Sequence, residues 1–242
     1  MLGNFLQYGL ILQAIALTHF VRRRPDGFWV FVIIMGGGVG AFIYILVEVI
    51  PDVVLLRGAM QVFPRRKRIR YLEAAVLENP SVGNYEELGD LYLDDRQFAK
   101  ARACFDRVIS PRTEGADPFY RRGLAAMALG DHQAAVEDLG QAVRIDPKYD
   151  YQRAAGLLAH ELGQVGRTDE ALARFEAVLQ TSTLSETQYN YASLLAANGR
   201  TPDARDWAHR ILAKKPTMPN YIRRRERPWF RKANALLRRI KA

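Results

Sequence analysis

Two apolar runs open the chain. Met1 to Val21 carries no charged side chain, and Phe28 to Ile50 carries only Glu48. Each exceeds the roughly 18 residues that mark a membrane-crossing helix, and at about 1.5 Å of rise per residue each can cross about 30 Å of hydrocarbon. Between them, Arg22-Arg23-Arg24-Pro25-Asp26-Gly27 is too short for anything except an antiparallel turn. The pattern therefore predicts a transmembrane helical hairpin over residues 1–52. A cleaved leader needs its positive residues ahead of the apolar run, whereas here the arginines follow it. Gln7, Gln13 and His19 are expected to hydrogen-bond to the partner helix. The pairs Gly36 with Gly40 and Gly37 with Ala41 are expected to let backbones approach closely.

Beyond residue 80 the apolar positions change period. Tyr85, Leu88-Gly89 and Tyr92 are followed by Ala101 and Phe105. At an offset of 34 residues, Phe119, Gly123, Leu129-Gly130, Ala135, Leu139, Ala142 and Pro147 fill the equivalent positions. A third copy, offset by 36, has Leu158, Leu162, Gly166, Ala171, Phe175 and Val178; a fourth, offset by 33, has Tyr191, Ala192, Leu195, Gly199, Ala204, Ile211 and Pro216. Small residues at Gly89, Gly123, Ala159 and Ala192, faced by Ala101, Ala135, Ala171 and Ala204, allow paired helices to approach. Gly130, Gly166 and Gly199 suit left-handed turns, and Pro147 and Pro216 end helices. Arg96 stands where the first copy needs its turn glycine, Pro111 comes early, and Ala208 replaces a large residue.

These four tandem copies resemble tetratricopeptide repeats. The resemblance implies an all-α fold, a tetratricopeptide α-solenoid of four helix pairs over residues 81–216, preceded by the transmembrane hairpin. Residues 53–80 read as a basic juxtamembrane segment and a capping helix, Ile69 to Pro80, with Tyr71 and Ala74 in the aromatic and small positions. In this family the ligand lies in the concave groove, lined by one face of each first helix. Carried over by position, that groove holds Glu86, Asp90 and Asp94 from the first repeat and Tyr120, Leu124 and Met127 from the second. His160 and Gln164 come from the third, Tyr189 and Ser193 from the fourth. An acidic end with an aromatic and aliphatic middle suits a protein or peptide partner with basic and apolar side chains; the same acidic residues equally fit a solvated helix face. The chaperone-binding version of the family clamps a terminal carboxylate with Lys and Asn. Here Glu86 and Asp90 occupy those positions and would repel it.

Charge sharpens the picture. Lys and Arg number 9 against 5 Asp and Glu in residues 1–80, 15 against 20 in residues 81–210, and 11 against 1 in residues 211–242. The net charge of +9 thus sits at the two ends, and an acidic middle argues against nucleic acid as partner. Arg65, Arg66, Lys67, Arg68 and Arg70 are expected to contact lipid headgroups, so that residues 1–70 bind membrane lipids. With Arg57 they outnumber Arg22 to Arg24, which places the solenoid in the cytoplasm, beside a bacterial-type cytoplasmic membrane. The single cysteine, Cys104, excludes an internal disulfide and agrees with a reducing compartment. Residues 217–242 form a basic amphipathic segment, helical from about Trp229, with two readings: a cap on the solenoid, or a membrane- or polyanion-binding surface.

A second resemblance concerns the hairpin. Trp29-Val30-Phe31-Val32-Ile33-Ile34, then Gly38-Val39-Gly40-Ala41-Phe42-Ile43-Tyr44, is similar to the two-helix N-terminal module of phospholipase D-type cardiolipin synthases. It implies an anchor only. That family's catalysis needs a His followed two residues later by Lys, and the four histidines here are followed at that distance by Val21, Ala134, Leu162 and Ile211. His160-Glu161 lacks the second histidine of a zinc helix, Gln164 standing in its place, and no phosphate-cradling glycine loop occurs. The expectation is a non-enzymatic, membrane-anchored scaffold without metal or cofactor. The alternative is an accessory protein that handles anionic lipid or envelope polymer through the hairpin and basic ends.

Overall fold

The computed structural model describes residues 2–23, 27–49 and 62–240, and all regular structure among them is helical. Arg24 to Asp26 of the expected turn, Ile50 to Gln61 with Arg57, and the side chain of Gln7 lie outside the described residues. The chain divides into two compact units, Met1–Arg68 and Ile69–Ala242.

In the first unit α1 (Leu2–Arg23) packs against α2 (Phe28–Met35) and α3 (Gly37–Tyr44), and a π-helical turn spans Ile45–Val49. Gln13 Nε2 donates to the Ile33 carbonyl at 3.0 Å, and His19 Nδ1 lies 2.8 Å from the Tyr44 hydroxyl, as expected for helix–helix bonds. Backbones approach closely at Gly36 and Gly40, where a Cβ on Gly36 would fall 2.8 Å from the Cα of Gly40, while α1 meets α3 at a different glycine: a Cβ on Gly38 would fall 2.9 Å from the Cα of Gly9.

No helix among the described residues is long and apolar enough to cross a membrane. This overturns the transmembrane hairpin over residues 1–52 and the placement in a cytoplasmic membrane. The second apolar run is not one helix. Gly37 adopts φ +56°, and a Cβ on Gly40 would lie 1.9 Å from the Val32 carbonyl oxygen, so only glycine fits the fold-back. The two pieces are each about 12 Å long at the usual helical rise, far short of a bilayer core. The first run makes a longer helix, but Gln13, Thr18 and His19 dilute it and Arg22 and Arg23 close it. Arg65, Arg66, Lys67, Arg68 and Arg70, expected at lipid headgroups, lie on α4 (Val62–Glu78).

The second unit is a stack of helix pairs. From Ile69 onward α4 lies against α5 (Val82–Asp94) and α6 (Phe98–Val108). The residues it buries are Ile69 and Leu72; Tyr71 is exposed, so the capping helix is rotated from its expected register. There follow α7 (Ala116–Leu129) with α8 (His132–Ile145), α9 (Arg153–Gln164) with α10 (Thr168–Leu179), and α11 (Ser185–Ala197) with α12 (Thr201–Ala213). Each pair buries its repeat-defining residues: Ala101 and Phe105, Ala135 and Leu139, Ala171 and Phe175, Ala204 and Ile211.

Local chemistry fixes the ends of these helices. Ser81 caps α5 by accepting from the Asn84 amide, and Asp131 caps α8 by accepting from the Ala134 amide. The second Asp131 oxygen takes a 2.7 Å bond from Arg102, tying α6 to α8. Gly130, Gly166 and Gly199 are all left-handed, and Arg96 adopts the same region with φ 60°.

The last helix, α13 (Asn220–Arg239), begins well before Trp229 and runs through Pro228. An interior proline costs about 3 kcal/mol. Phe230, Leu236 and Leu237, buried against α11 and α12, return roughly 1.5–3 kcal/mol each, which outweighs it.

Gly89 carries a direct test of the packing within a helix pair, since a Cβ there would meet the buried Phe105 ring at 2.8 Å. Overpacking of this kind costs about 1–3 kcal/mol and Ala gains up to about 1 kcal/mol over Gly in helix propensity. Gly89→Ala should therefore lose about 1–2 kcal/mol in thermal or urea unfolding. Arg96→Gly should act in the opposite sense: relief of the left-handed backbone, about 1–2 kcal/mol, exceeds the extra chain entropy of glycine, leaving a gain of up to about 1 kcal/mol.

Candidate functional site

A continuous polar ladder links the first helices of the repeats. Arg121 on α7 lies between Asp117, to which its Nε donates at 3.1 Å, and Asp90 on α5, 3.5 Å away. Asp117 also accepts from the Tyr149 hydroxyl in the loop before α9. The Tyr149 ring packs on Tyr120, centroids 5.0 Å apart. The Tyr120 hydroxyl donates to Asp150 at 2.8 Å and accepts from Arg153 on α9 at 3.0 Å. Arg153 Nε in turn donates to Glu186 on α11 at 2.6 Å.

The electrostatics follow from this pairing. Burial, then the bond to Asp150, pushes the Tyr120 phenol up, and burial with Asp117 does the same to Tyr149. The hydrogen bond to Glu186 holds Arg153 above its ordinary value. Asp90 is raised chiefly by burial: Arg121 opposes the shift, while Asp117, Asp94 and Glu86 reinforce it. Asp90 and Asp117 thus share one guanidinium, and the charges of Asp94 and Glu86 act on Asp90 beside them.

The expected groove residues fall into three groups. Glu86, Asp90 and Asp94 are together at the acidic end, with Asp94 exposed. Tyr120 is only 4% exposed and belongs to the core, while Leu124 and Met127 sit half-buried at the edge of the same cluster. Tyr189 and His160 lie towards α13: Tyr189 packs on Trp229 at 5.9 Å with the Lys232 ammonium over its ring, and Lys232 also acts on His160. Gln164 is exposed and Ser193 half-buried, and neither joins the ladder.

Sequence reading overlooked Asp117, Arg153 and Glu186, although a signal was present. They recur at the start of successive first helices, Arg153 as the first residue of α9 and Asp117 and Glu186 as the second of α7 and α11, at the offsets of 36 and 33 residues that separate the repeats themselves. A second polar cluster went unnoticed too. Glu161, 2% exposed on α9, faces His132 Nδ1 at 2.7 Å and His160 Nε2 at 3.9 Å. Behind the ladder, Arg122 grips the buried Asp138 with two bonds of 2.9 and 2.6 Å.

The model of the tetratricopeptide repeat family matches residues 86–150 and 157–219, more than half of the chain. The chain is a tetratricopeptide-repeat protein. DnaJ homolog subfamily C member 3 of Homo sapiens is 29% identical to it over 114 residues, 47% of this chain and 22% of that protein. A tetratricopeptide repeat and J domain-containing co-chaperone of Cryptococcus neoformans is 27% identical over 127 residues, 51% of this chain and 23% of the relative. The repeat protein therefore spans about a fifth of the length of these relatives. Among solved structures, YrrB, a TPR protein with an unusual peptide-binding site, superposes with a TM-score of 0.56 at 20% identity, over 68% of this chain and 83% of that one. A thermophilic TPR protein of Thermus thermophilus gives 0.53 at 20% identity, over 75% and 97%. At these identities the structures establish the shared fold.

The histidine cluster yields a pH test. Burial outweighs the attraction of Glu161 and Glu186 and, with His132 and Lys232, holds His160 below its ordinary 6.5. The unfolded chain then takes the proton first, so this group's contribution is full above that value and is lost as pH falls through the folded one. Between about pH 7 and 5 the repeat protein should lose thermal stability more steeply than its His160→Gln variant, as followed by helical ellipticity.

Proposed function

We propose that this repeat protein is a non-catalytic adaptor that holds an extended segment of a protein partner along the face of its first helices. The reading rests on the ladder from Asp90 to Glu186. Its cations are already paired within the fold, so the face is rigid and its geometry is set before a partner arrives, which lowers the ordering cost of binding. Leu124 and Met127 offer half-buried apolar contact beside it. The carboxylates Glu86, Asp90 and Asp117, the last two sharing the Arg121 guanidinium, favour Lys or Arg in the segment at the first-repeat end. The titratable groups within the repeats suit structure rather than chemistry. The Cys104 thiol is pushed up to about 11, mainly by burial, which makes it a poor nucleophile. Tyr92, Tyr120 and Tyr149 keep their protons and donate hydrogen bonds to Glu73, Asp150 and Asp117. The peptide-binding site of YrrB and the co-chaperone relatives agree with a protein-binding role.

A photoreactive residue in place of Met127 should crosslink to basic, extended segments of partner proteins, whereas one in place of Ala177, exposed on α10, should not. Glu86→Lys with Asp94→Lys should weaken that capture by roughly tenfold, about 1.4 kcal/mol, and Glu137→Lys on the opposite helix should leave it unchanged. Equal labelling from both positions would remove the first-helix face as the binding surface.

A further inference from the structure

The ladder ends at a cavity. Arg153 and Glu186 belong to both, and with the loops before α9 and α11 and the first turns of α13 they enclose a space of about 950 Å³. Its wall has one feature that a ligand would satisfy, an unpartnered buried hydroxyl at an uncapped helix start. Ser185, the first residue of α11, is only 3% exposed, yet its hydroxyl meets no hydrogen-bond partner among the described residues. Leu184, which precedes it, provides no side-chain cap, and Leu184, Ser185 and Glu186 line the cavity, so the partial positive charge of a thirteen-residue helix terminus lies at its wall. The loop wall is held in an uncommon conformation: Asp150, Tyr151 and Gln152 are successive left-handed residues, and the Tyr151 ring at the lining stands 87% exposed.

The charges of the wall select the ligand. Arg153 is taken up by Glu186 and Asp150. Lys148 and Arg225 line the cavity without a carboxylate in salt-bridge range among the described residues, leaving two cations and the helix terminus to attract an anion. Asp150, Glu186 and Glu226 also line it, and their repulsion rises with the charge of the guest, so a monoanion is favoured over a phosphate dianion. Trp229 adds an aromatic surface for the stem that carries the charge.

We propose that this cavity takes the carboxylate of an Asp or Glu side chain from the partner segment, accepting hydrogen bonds from Ser185 Oγ and the leading amides of α11, with Lys148 and Arg225 as counter-charges. The inference rests on the first-helix face being the binding surface. It adds a polarity to the partner: basic where it meets the first repeat, acidic where it reaches the fourth.

The test uses the full chain, isotope-labelled for amide resonances, and the end-blocked pentapeptide acetyl-Ala-Leu-Glu-Leu-Ala-amide with its Gln and phosphoserine counterparts. Blocking both ends leaves the side chain as the only carboxylate. The Glu peptide should shift the Ser185 and Glu186 amides at millimolar concentration, and the Gln peptide should bind roughly tenfold more weakly. Ser185→Ala and, independently, Arg225→Gln on the exposed start of α13 should each weaken the Glu peptide by roughly threefold or more. Equal binding of the Glu and Gln peptides overturns the proposal, and tighter binding of phosphoserine replaces it with a phosphate site. Shifts at Leu124 and Met127 with Ser185 and Glu186 unmoved would preserve the first-helix face and remove the cavity. Absence of any shift from all three peptides would count against both.

Discussion

Gly89 leaves no room for a Cβ against Phe105, and Gly123 leaves little against Leu139, so the two helices of a repeat can lie at one separation only. Gly156 imposes the same limit between neighbouring first helices, where a Cβ would meet Thr187 Oγ1 at 2.5 Å. Everything else in the stack depends on these approaches. They set where the start of each first helix falls relative to the next, and hence whether Arg153 can reach Glu186 and Tyr120 at once. A repeat whose helices stood an ångström further apart would bury the same apolar residues and lose the ladder.

The ladder in turn explains why the face is polar without being open to water everywhere. Tyr120 serves the core with its ring and the surface with its hydroxyl, an economical use of an amphipathic side chain. Because Asp150 and Arg153 satisfy that hydroxyl, the ring is fixed and does not rotate out to meet a ligand. In the proposed mode of binding, recognition would fall to the groups at the two ends of the ladder: carboxylates at one, and at the other two cations, a serine hydroxyl and a helix terminus.

The repeat register was readable in the sequence because it is written in local chemistry: turn glycines at Gly130, Gly166 and Gly199, and small-to-large alternation between paired helices. Arg96 shows that even a departure from that chemistry is tolerated at a left-handed turn. The acidic cluster was legible too, since Glu86, Asp90 and Asp94 are spaced to share one helix face. What sequence could not yield depends on contacts between elements. Tyr120 passed for a free anchor because its partners, Tyr149 and Asp150, sit in a loop whose three left-handed residues have no glycine to announce them. The long apolar run after Phe28 passed for one helix because hydropathy does not register that Gly40 must lie against the Val32 carbonyl. Pro228 passed for a boundary because its local penalty is visible and the compensating burial of Phe230, Leu236 and Leu237 is not.

The described apolar clusters of the stack overlap. Ala125 of α7 belongs to the cluster around α4, α5 and α6, Leu194 of α11 borders both the cluster of the second and third repeats and that of the third and fourth, and Ala196, Trp207 and Ile240 border both clusters nearest α13. Each repeat is therefore coupled to its neighbours through shared side chains. An array coupled only between neighbours can open one repeat at a time when pulled or heated. The buried Cys104, in the cluster of the first repeat, then serves as a built-in clock: the rate at which a thiol reagent consumes it reports how often that first repeat opens.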